Sequence, residues 1–124
     1  MSATRRRFAR VVFIEPKSTH IHVYSSVHIP RTGGLLLGTM LRDRGHEVSV
    51  VVEDMLPRRV TEADVWRQIA GADLLCVSTI TPTAGRCAMW ASRARAAGIP
   101  VLMGGPHVTY FPDEAMEHAD WVLR

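Results

Sequence analysis

The sequence contains only two cysteines, Cys76 and Cys87. Cys76 falls in a run that predicts a buried strand, and Cys87 falls in the helix predicted after it. Isolated cysteines in such places pack as small apolar groups, so we expect both thiols to be reduced. An iron–sulfur cluster needs a group of cysteine ligands, which this chain cannot supply alone.

Long apolar runs are absent as well. No stretch approaches the roughly 18 apolar residues that cross a bilayer. At the N-terminus, Arg5, Arg6 and Arg7 precede only a short apolar run, unlike the hydrophobic region of a signal peptide. We therefore expect no membrane span and a cytoplasmic location.

Lysine is nearly missing, because arginine provides 14 of the 15 basic residues. The net charge is +3. Four arginines lie in the first ten residues, which would suit a nucleic-acid-binding arm. No aromatic residue interleaves with them before Phe8. A disordered basic tail over residues 1–9, with no nucleic-acid partner, is the favoured interpretation.

The 124 residues do contain a regular alternation of short apolar runs and helical patterns. The runs predict five strands, at Val11–Ile14, Val48–Val52, Leu74–Ser78, Val101–Met103 and Trp121–Leu123. Continuous runs rich in valine and leucine are typical of parallel strands covered on both faces. The predicted fold class is α/β, a doubly wound, mostly parallel five-stranded sheet in a flavodoxin-like or Rossmann-like three-layer sandwich.

Several end signals predict the helices between these strands. The first helix spans 32–44 with Gly45 as its C-terminal cap, and its inward face is predicted to carry Leu35, Leu36, Met40 and Leu41. A capping box from Thr61 to Asp64 opens a second helix to about Gly71. A third helix, to about Ala97, has Thr81 as its predicted N-cap and proline next. A short fourth helix follows Pro112.

Ligands of doubly wound sheets bind at the carboxyl ends of the strands, so the loops there hold the candidate site. The loop after the first strand is long and contains His20, His22 and His28. Imidazole nitrogens bind zinc and other transition metals, but the H-x-H-x5-H spacing matches no tight metal motif. Exposed or pocket-lining histidines are favoured, and a metal site remains the alternative.

Glycines and hydroxyl-bearing residues dominate the other loops at this edge. The candidates are Thr32, Gly33 and Gly34 before the first helix, Ser78, Thr79 and Thr81 after the third strand, and Gly104, Gly105, Pro106 and His107 after the fourth. Paired glycines let a ligand approach the backbone, and hydroxyls hydrogen-bond polar ligands. Capping explains Thr81, whereas no structural role is predicted for Ser78 or Thr79. Simple turns are the alternative for the glycines.

Four stretches, "GGLLLGTMLRDRGHEVSVV", "DLLCVSTITPT", "PVLMGGPHVTYFPDEAM" and "DWVLR", carry a family resemblance. Together they resemble the N-terminal cobalamin-binding domain of cobalamin-dependent radical S-adenosylmethionine enzymes, over residues 10–124. "GGPHVTYFPDEAM" is the most specific part. The resemblance implies a flavodoxin-like domain that holds the corrinoid at the carboxyl ends of the strands, with its nucleotide tail in a groove beside the sheet.

The resemblance also implies roles for the candidate residues. The tail pocket would be lined by Ser78, Thr79 and Thr81. The tail or the corrin edge would pack on Gly104 and Gly105, beside Pro106 and His107. The opposite side would be closed by Thr32, Gly33 and Gly34.

Related mutases and methionine synthases carry D-x-H-x-x-G after the first strand, and its histidine coordinates cobalt. The matching positions are 28–33, where His28 replaces the aspartate, Pro30 replaces the histidine and Gly33 agrees. Proline has no nitrogen lone pair for a metal. The resemblance therefore implies base-off cobalamin with no protein histidine below cobalt, and places Pro30 at the rim of the pocket. The three loop histidines stay as alternative cobalt ligands.

In the complete family, a following barrel domain binds a four-iron four-sulfur cluster through C-x3-C-x2-C and cleaves S-adenosylmethionine. Those cysteines are absent here, and the chain stops just after its last predicted strand. We expect a domain truncated before its radical S-adenosylmethionine partner, able to bind cobalamin but not catalytic alone. Without its partner domain, the isolated domain could expose an apolar surface that pairs with a second copy. We therefore expect a homodimer, at least in part.

Two other functions stay open. One is a flavodoxin-like flavin- or nucleotide-binding module, although more hydroxyls are expected near the first strand for a flavin phosphate. A receiver-like module belongs to the same class, but it would need an aspartate at the end of the third strand, where this sequence has Val77 and Ser78. The other is a small enzyme with His107 as acid or base, for which Asp113 and Glu114 are the nearest carboxylates in sequence.

Overall fold

The computed structural model describes residues 7–18 and 31–124. Its sheet contains β1 (Arg10–Glu15), β2 (Glu47–Val52), β3 (Leu74–Ser78), β4 (Val101–Gly104) and β5 (Trp121–Val122). The strands pair in the order β2-β1-β3-β4-β5, and all four pairs are parallel. This is the flavodoxin-like order, in which the winding direction reverses between β1 and β3. The predicted α/β class and sheet are confirmed.

Five α-helices follow the strands in the described ranges. They are α1 (Thr32–Asp43), α2 (Glu62–Ala70), α3 (Ala84–Ala96), α4 (Pro106–Tyr110) and α5 (Pro112–Met116). Short 3₁₀ turns at Glu53–Met55 and Thr81–Thr83 lead into the segments that follow β2 and β3. The sequence predicted α5 but not α4, which begins at a proline directly after Gly105.

Apolar side chains cover both faces of the sheet. On one face, Val65 and Ile69 of α2 and the fully buried Trp90 of α3 pack against inward residues of β1, β3 and β4. On the other face, Phe13 and Cys76 form a smaller cluster that α1 partly covers through Leu41. The helices thus form layers on both sides of the sheet, as predicted for a three-layer sandwich.

The predicted inward face of α1 is wrong for three of its four residues. Their exposed fractions are 41% for Leu35, 55% for Leu36 and 42% for Met40. The buried residues of α1 are Gly34 and Gly38, one helical turn apart. A Cβ at Gly38 would lie 3.2 Å from Val48 and 3.3 Å from Val50, so the helix backbone packs close to β2. That close approach turns the leucines outward.

The capping box of α2 is confirmed. The Thr61 hydroxyl accepts a hydrogen bond from the Asp64 amide at 3.2 Å, and the Asp64 carboxylate accepts one from the Thr61 amide at 2.8 Å. The predicted cap of α3 is wrong, because the Thr81 hydroxyl bonds to His107 instead. The helix proper begins three residues later, and the hydroxyl of Thr83 bonds locally to the Ile80 backbone.

Only the end of the predicted basic tail falls in the described ranges, since residues 1–6 lie outside them. The ring of Phe8 meets Trp121 edge to face, with centroids 6.1 Å apart. Its carbonyl accepts a hydrogen bond from His46 Nδ1 at 2.6 Å. Residue 8 therefore packs on the domain. Within the described ranges, none of the helices combines the length and apolar character needed to cross a membrane.

Candidate functional site

The carboxyl ends of β1, β3 and β4 meet at one edge of the sheet. The register pairs Ser78 at the end of β3 with Gly104 at the end of β4. On the other side of β3 lies β1, which ends at Glu15, and α1 begins above it. This is the point where the winding reverses, so the loops diverge and leave room for a ligand.

A groove of about 120 Å³ opens here on the α1 side of the sheet. We call it the edge groove, and its lining consists of Phe13, Gly33, Gly34, Leu37, Cys76, Val77, Ser78, Leu102, Gly104, Gly105 and Leu123. Five of these residues were predicted from the sequence as ligand-binding candidates, at positions 33, 34, 78, 104 and 105. The structure therefore brings together candidates from three separate loops.

The apolar half of the edge groove was missed by sequence reasoning. Phe13, Cys76 and Leu102 are register partners across three neighbouring strands, so their side chains form one row on one face. Along each strand these residues alternate with residues that face the other side of the sheet. This alternation was the signal from which the row could have been found. Burial raises the pKa of the Cys76 thiol to about 12, so this wall of the groove is neutral and unreactive.

The glycines in the groove leave its mouth open. Apart from its chain neighbours and the adjacent helix backbone, no described atom lies within 4 Å of where a Cβ at Gly33 would stand. A Cβ at Gly34 would lie in ordinary contact with Glu15 and Phe13, at 3.7 and 3.9 Å. At Gly104 the nearest atoms belong to Leu123, at 3.7 Å. A ligand group can therefore approach the backbone at all three positions.

Gly105 has a different reason to be glycine. Its φ is +104°, and a Cβ there would lie 2.5 Å from the carbonyl oxygen of Thr79. Thr79 is fully buried, and both its amide and its hydroxyl donate to the Gly104 carbonyl, at 2.9 and 2.8 Å. These two residues lock the loops after β3 and β4 together. The structure thus gives Thr79 a structural role that the sequence did not predict, and keeps it out of the groove lining.

His107 joins the same two loops from the outside. Its Nδ1 lies 3.1 Å from the Thr81 hydroxyl, its Nε2 lies 3.2 Å from Glu114 Oε1, and its ring packs on Phe111. The side chain is only 10% exposed. None of these groups lines the edge groove, and the exposed Pro106 does not line it either. In the structure, His107 ties the third-strand loop to α5.

Two polar side chains at the edge were not predicted. The carboxylate of Glu15 accepts a hydrogen bond from the Arg31 amide at 3.1 Å, and the Arg31 guanidinium donates to the Ser78 carbonyl at 3.0 Å. Arg31 therefore spans the reversal point from β1 to β3. One oxygen of Glu15 and the Nε of Arg31 are buried without a hydrogen-bond partner among the described residues.

A second cavity, of about 310 Å³, lies beside the end of β2. Its floor is an ion pair between Glu53 and Arg86, with an N–O distance of 2.7 Å. Trp90 Nε1 and the Lys17 amide also donate to Glu53, at 3.1 and 3.2 Å. Hydrogen bonding to Glu53 raises the pKa of Arg86 above its ordinary value. The Glu53 carboxylate is thus fully used inside the protein.

Several candidates lie outside the described residues, namely Pro30 and the histidines at 20, 22 and 28. Thr32 is described, and it is an exposed residue that begins α1. Across residues 7–18 and 31–124, no three histidine, cysteine or acidic side chains come together as a metal site. The two cysteines are free and buried, as predicted.

Comparison with known families gives one match. The family model described as the B12 binding domain matches residues 22–124, which include α1, all the strands after β1 and the whole edge groove except Phe13. No curated protein matches the chain by sequence.

Proposed function

Since this chain belongs to the B12-binding domain family, we propose that it holds cobalamin above the carboxyl ends of β1, β3 and β4. The nucleotide tail would enter the edge groove. One observation carries this proposal: the groove opens at the reversal point of the sheet, where Gly33, Ser78 and Gly104 meet from three loops.

The residues present fit such a ligand. The flat aromatic base of the tail suits a groove walled by Phe13, Cys76 and Leu102. The ribose and phosphodiester would lie near the reversal point, where Glu15 and Arg31 stand beside the groove and each keep a buried polar atom unpartnered among the described residues. The corrin ring is too broad for the groove and would lie on the open glycine edge.

We further propose base-off binding without a protein histidine below the cobalt. The support is chemical: the sequence resemblance matches Pro30 to the position of the histidine ligand in related proteins, and proline has no lone pair to give. A tail held in the edge groove keeps its base away from the metal. When bound, the corrinoid supplies a cobalt centre able to carry a methyl group. The chain's own residues would bind and orient the cofactor.

The parent protein is proposed to be a radical S-adenosylmethionine methyltransferase or a related radical enzyme, working in the cytoplasm. In it, a separate domain would hold the four-iron four-sulfur cluster and S-adenosylmethionine, because the two cysteines here are buried and apart. The sequence resemblance supports this assignment. The flavin-binding alternative is not favoured by the family match.

The test is retention of hydroxocobalamin. The purified chain is mixed with the corrinoid, passed through a desalting column and examined by visible spectroscopy. We expect corrin absorbance to elute with the protein, with the band shape of base-off cobalamin. A spectrum with a nitrogen ligand on cobalt would overturn the base-off proposal and point to the loop histidines. Loss of all corrin would overturn the binding proposal, and flavin titration would follow.

A matched pair of helical glycines sharpens this test. Gly33 and Gly85 both lie in the first turn of a helix, and outside the chain neighbours and the adjacent helix backbone no described atom lies within 4 Å of either Cβ position. Only Gly33 lines the edge groove. We expect Gly33→Leu to abolish corrinoid retention and Gly85→Leu to preserve it. Equal retention by the two variants would place the corrinoid elsewhere. Gly105 is a poor test position, because any side chain there meets the Thr79 backbone.

A further inference from the structure

Glu15 is a buried acid at the last position of β1, and only 4% of its surface is exposed. One carboxylate oxygen, Oε2, accepts a hydrogen bond from the Arg31 amide at the start of α1. The helix has no capping side chain of its own and no acidic residue in its first turn. Glu15 therefore does from β1 what the N3 carboxylate of a capping box does within a helix, because it accepts from the amide of the N-cap residue Arg31. Its negative charge also suits the positive end of the helix dipole.

The hydrogen bond to the start of α1 uses only one of the two carboxylate oxygens of Glu15. The other, Oε1, is buried and has no hydrogen-bond partner among the described residues. A buried carboxylate oxygen without a donor is costly, and native proteins seldom leave one in that state. A helix cap alone would have been provided by a smaller side chain such as serine or aspartate at position 31. The second oxygen is thus an acceptor for a donor from outside the described residues.

Glu15 does not itself line the edge groove, but Oε1 lies next to two residues that do. The position of a Cβ at Gly34 is 3.7 Å from Oε1 and 3.9 Å from the Phe13 ring, so an atom placed there would touch both without a clash. Gly34 and Phe13 both line the groove. Because residue 34 has no side chain, a ligand atom at that position would lie beside the carboxylate.

We propose that Glu15 Oε1 accepts a hydrogen bond from a hydroxyl of the cofactor's nucleotide tail, which makes Glu15 a specificity residue for corrinoids that carry a complete tail. This inference rests on the proposed cobalamin-binding function. The tail is the part in question because the corrin ring cannot enter a groove of about 120 Å³. The ribose hydroxyls are neutral donors, which suit a carboxylate acceptor better than the anionic phosphodiester does.

The experiment compares two probes, hydroxocobalamin and cobinamide, which lacks the nucleotide tail. Dissociation constants are measured for both with the full chain and with three variants. Glu15→Gln keeps the shape and the capping carbonyl but replaces one acceptor with an amide donor. Gly34→Ala fills the space in front of Oε1, with no contact below 3.7 Å. Gly85→Ala adds the same methyl to the first turn of α3, away from the groove.

We expect Glu15→Gln and Gly34→Ala each to weaken hydroxocobalamin binding by about tenfold or more, the usual effect of losing a hydrogen bond to a charged group. Cobinamide binding should change less than about twofold, and Gly85→Ala should match the parent chain for both probes. Thermal melting of each variant without ligand shows that the fold is kept, and Gly34→Ala carries the test if Glu15→Gln melts early.

Two results would overturn the inference while leaving the proposed function intact. One is unchanged hydroxocobalamin affinity in both variants. The other is an equal loss for cobinamide, which would place the contact on the corrin ring. If the unaltered chain binds neither probe, the proposed function fails, and the inference falls with it.

Discussion

Glu53 shows how one side chain organises the edge beside the candidate site. Its carboxylate is 5% exposed and pairs with the guanidinium of Arg86, which is 15% exposed. The indole of Trp90 and the amide of Lys17 also donate to it, so β2, α3 and the segment after β1 converge on one group. Separating such a buried pair leaves a charge with no partner, which costs more than the pair itself contributes.

We expect Glu53→Gln to lower the free energy of unfolding by about 3 kcal/mol, since Arg86 would stay buried with only the more distant and more exposed Glu62, at 3.5 Å, as its counter-charge. Urea denaturation measures the change. The control is Glu47→Gln, because Glu47 is 73% exposed and lies 3.9 Å from Arg10 in a solvent-exposed pair. The free energy of unfolding of Glu47→Gln should fall by less than about 0.5 kcal/mol. Similar effects from the two substitutions would contradict the role given to Glu53.

At the scale of single elements, the helix ends decide how the loops of the site are held. In α2, Thr61 and Asp64 cap each other, and Arg67 pairs with the same carboxylate. Hydrogen bonds from the Thr61 amide, then from its hydroxyl, lower the pKa of Asp64 below its ordinary value of 3.8. The α1 helix has no such box and depends on Glu15 from a neighbouring strand.

Removing the α2 cap should destabilise the domain in a pH-dependent way. We expect Thr61→Ala to lower the Tm by about 4 °C at pH 7. Because the pKa of Asp64 is depressed in the folded state, its stabilising contribution exists above the unfolded pKa and disappears as pH falls through the folded one. The difference between the two proteins should therefore shrink below about pH 4.

The measurement is thermal melting between pH 7 and pH 3, with Thr39→Ala as the control. Thr39 is exposed in α1, and its hydroxyl bonds back to the Leu35 carbonyl, so it caps nothing. A Tm difference for Thr61→Ala that stays constant across this range would show that the bond from the Thr61 hydroxyl to Asp64 does not depend on the charge of the carboxylate.

At the scale of the whole molecule, α1 leaves an apolar surface beside the candidate site. Exposed fractions are 55% for Leu36, 42% for Met40 and 41% for Leu35. The glycine face of the helix, through Gly34 and Gly38, packs against the sheet and turns these side chains to solvent. Adjacent exposed apolar residues mark surfaces that associate with a partner domain or a second copy.

We expect the chain to form a dimer, at least in part, through this surface of α1. Light scattering at increasing concentration measures it, and Leu36→Lys should shift the mass to that of a monomer. Met55→Lys is the control, because Met55 is 51% exposed on the 3₁₀ turn after β2. A monomeric mass for the unaltered chain at high concentration would contradict this expectation.

The centre of the sheet could be predicted in detail because β1 and β3 are buried on both faces. Each of these strands contains a continuous apolar run, and the predicted bounds of β3 agree with the structure at both ends. The prediction of α1 was less successful, because helical periodicity assumes that large apolar residues face the core. Here Gly38 faces β2 and lets the backbone approach the strand, an arrangement that periodicity alone does not reveal.

For the candidate site, the sequence identified the loops but not the roles of their residues. Gly33, Ser78 and Gly104 line the edge groove, as their positions after strands suggested. Thr79 and Thr81 instead hold loops together, through partners that lie 25 and 26 residues away. Such pairings depend on which loops become neighbours in space, and a hydroxyl in a loop carries no sign of its partner.

Local pattern was sufficient for the strand–helix alternation, the capping box at Thr61 and the loops that hold the candidate site, because these features depend on residues within one or two turns of each other. The burial of Glu15 and Glu53, the bridge made by Arg31 and the outward face of α1 came from contacts between distant segments. A charged side chain looks the same in sequence whether it is solvated or buried. Folding places it beside its partners, and that placement gives it a role.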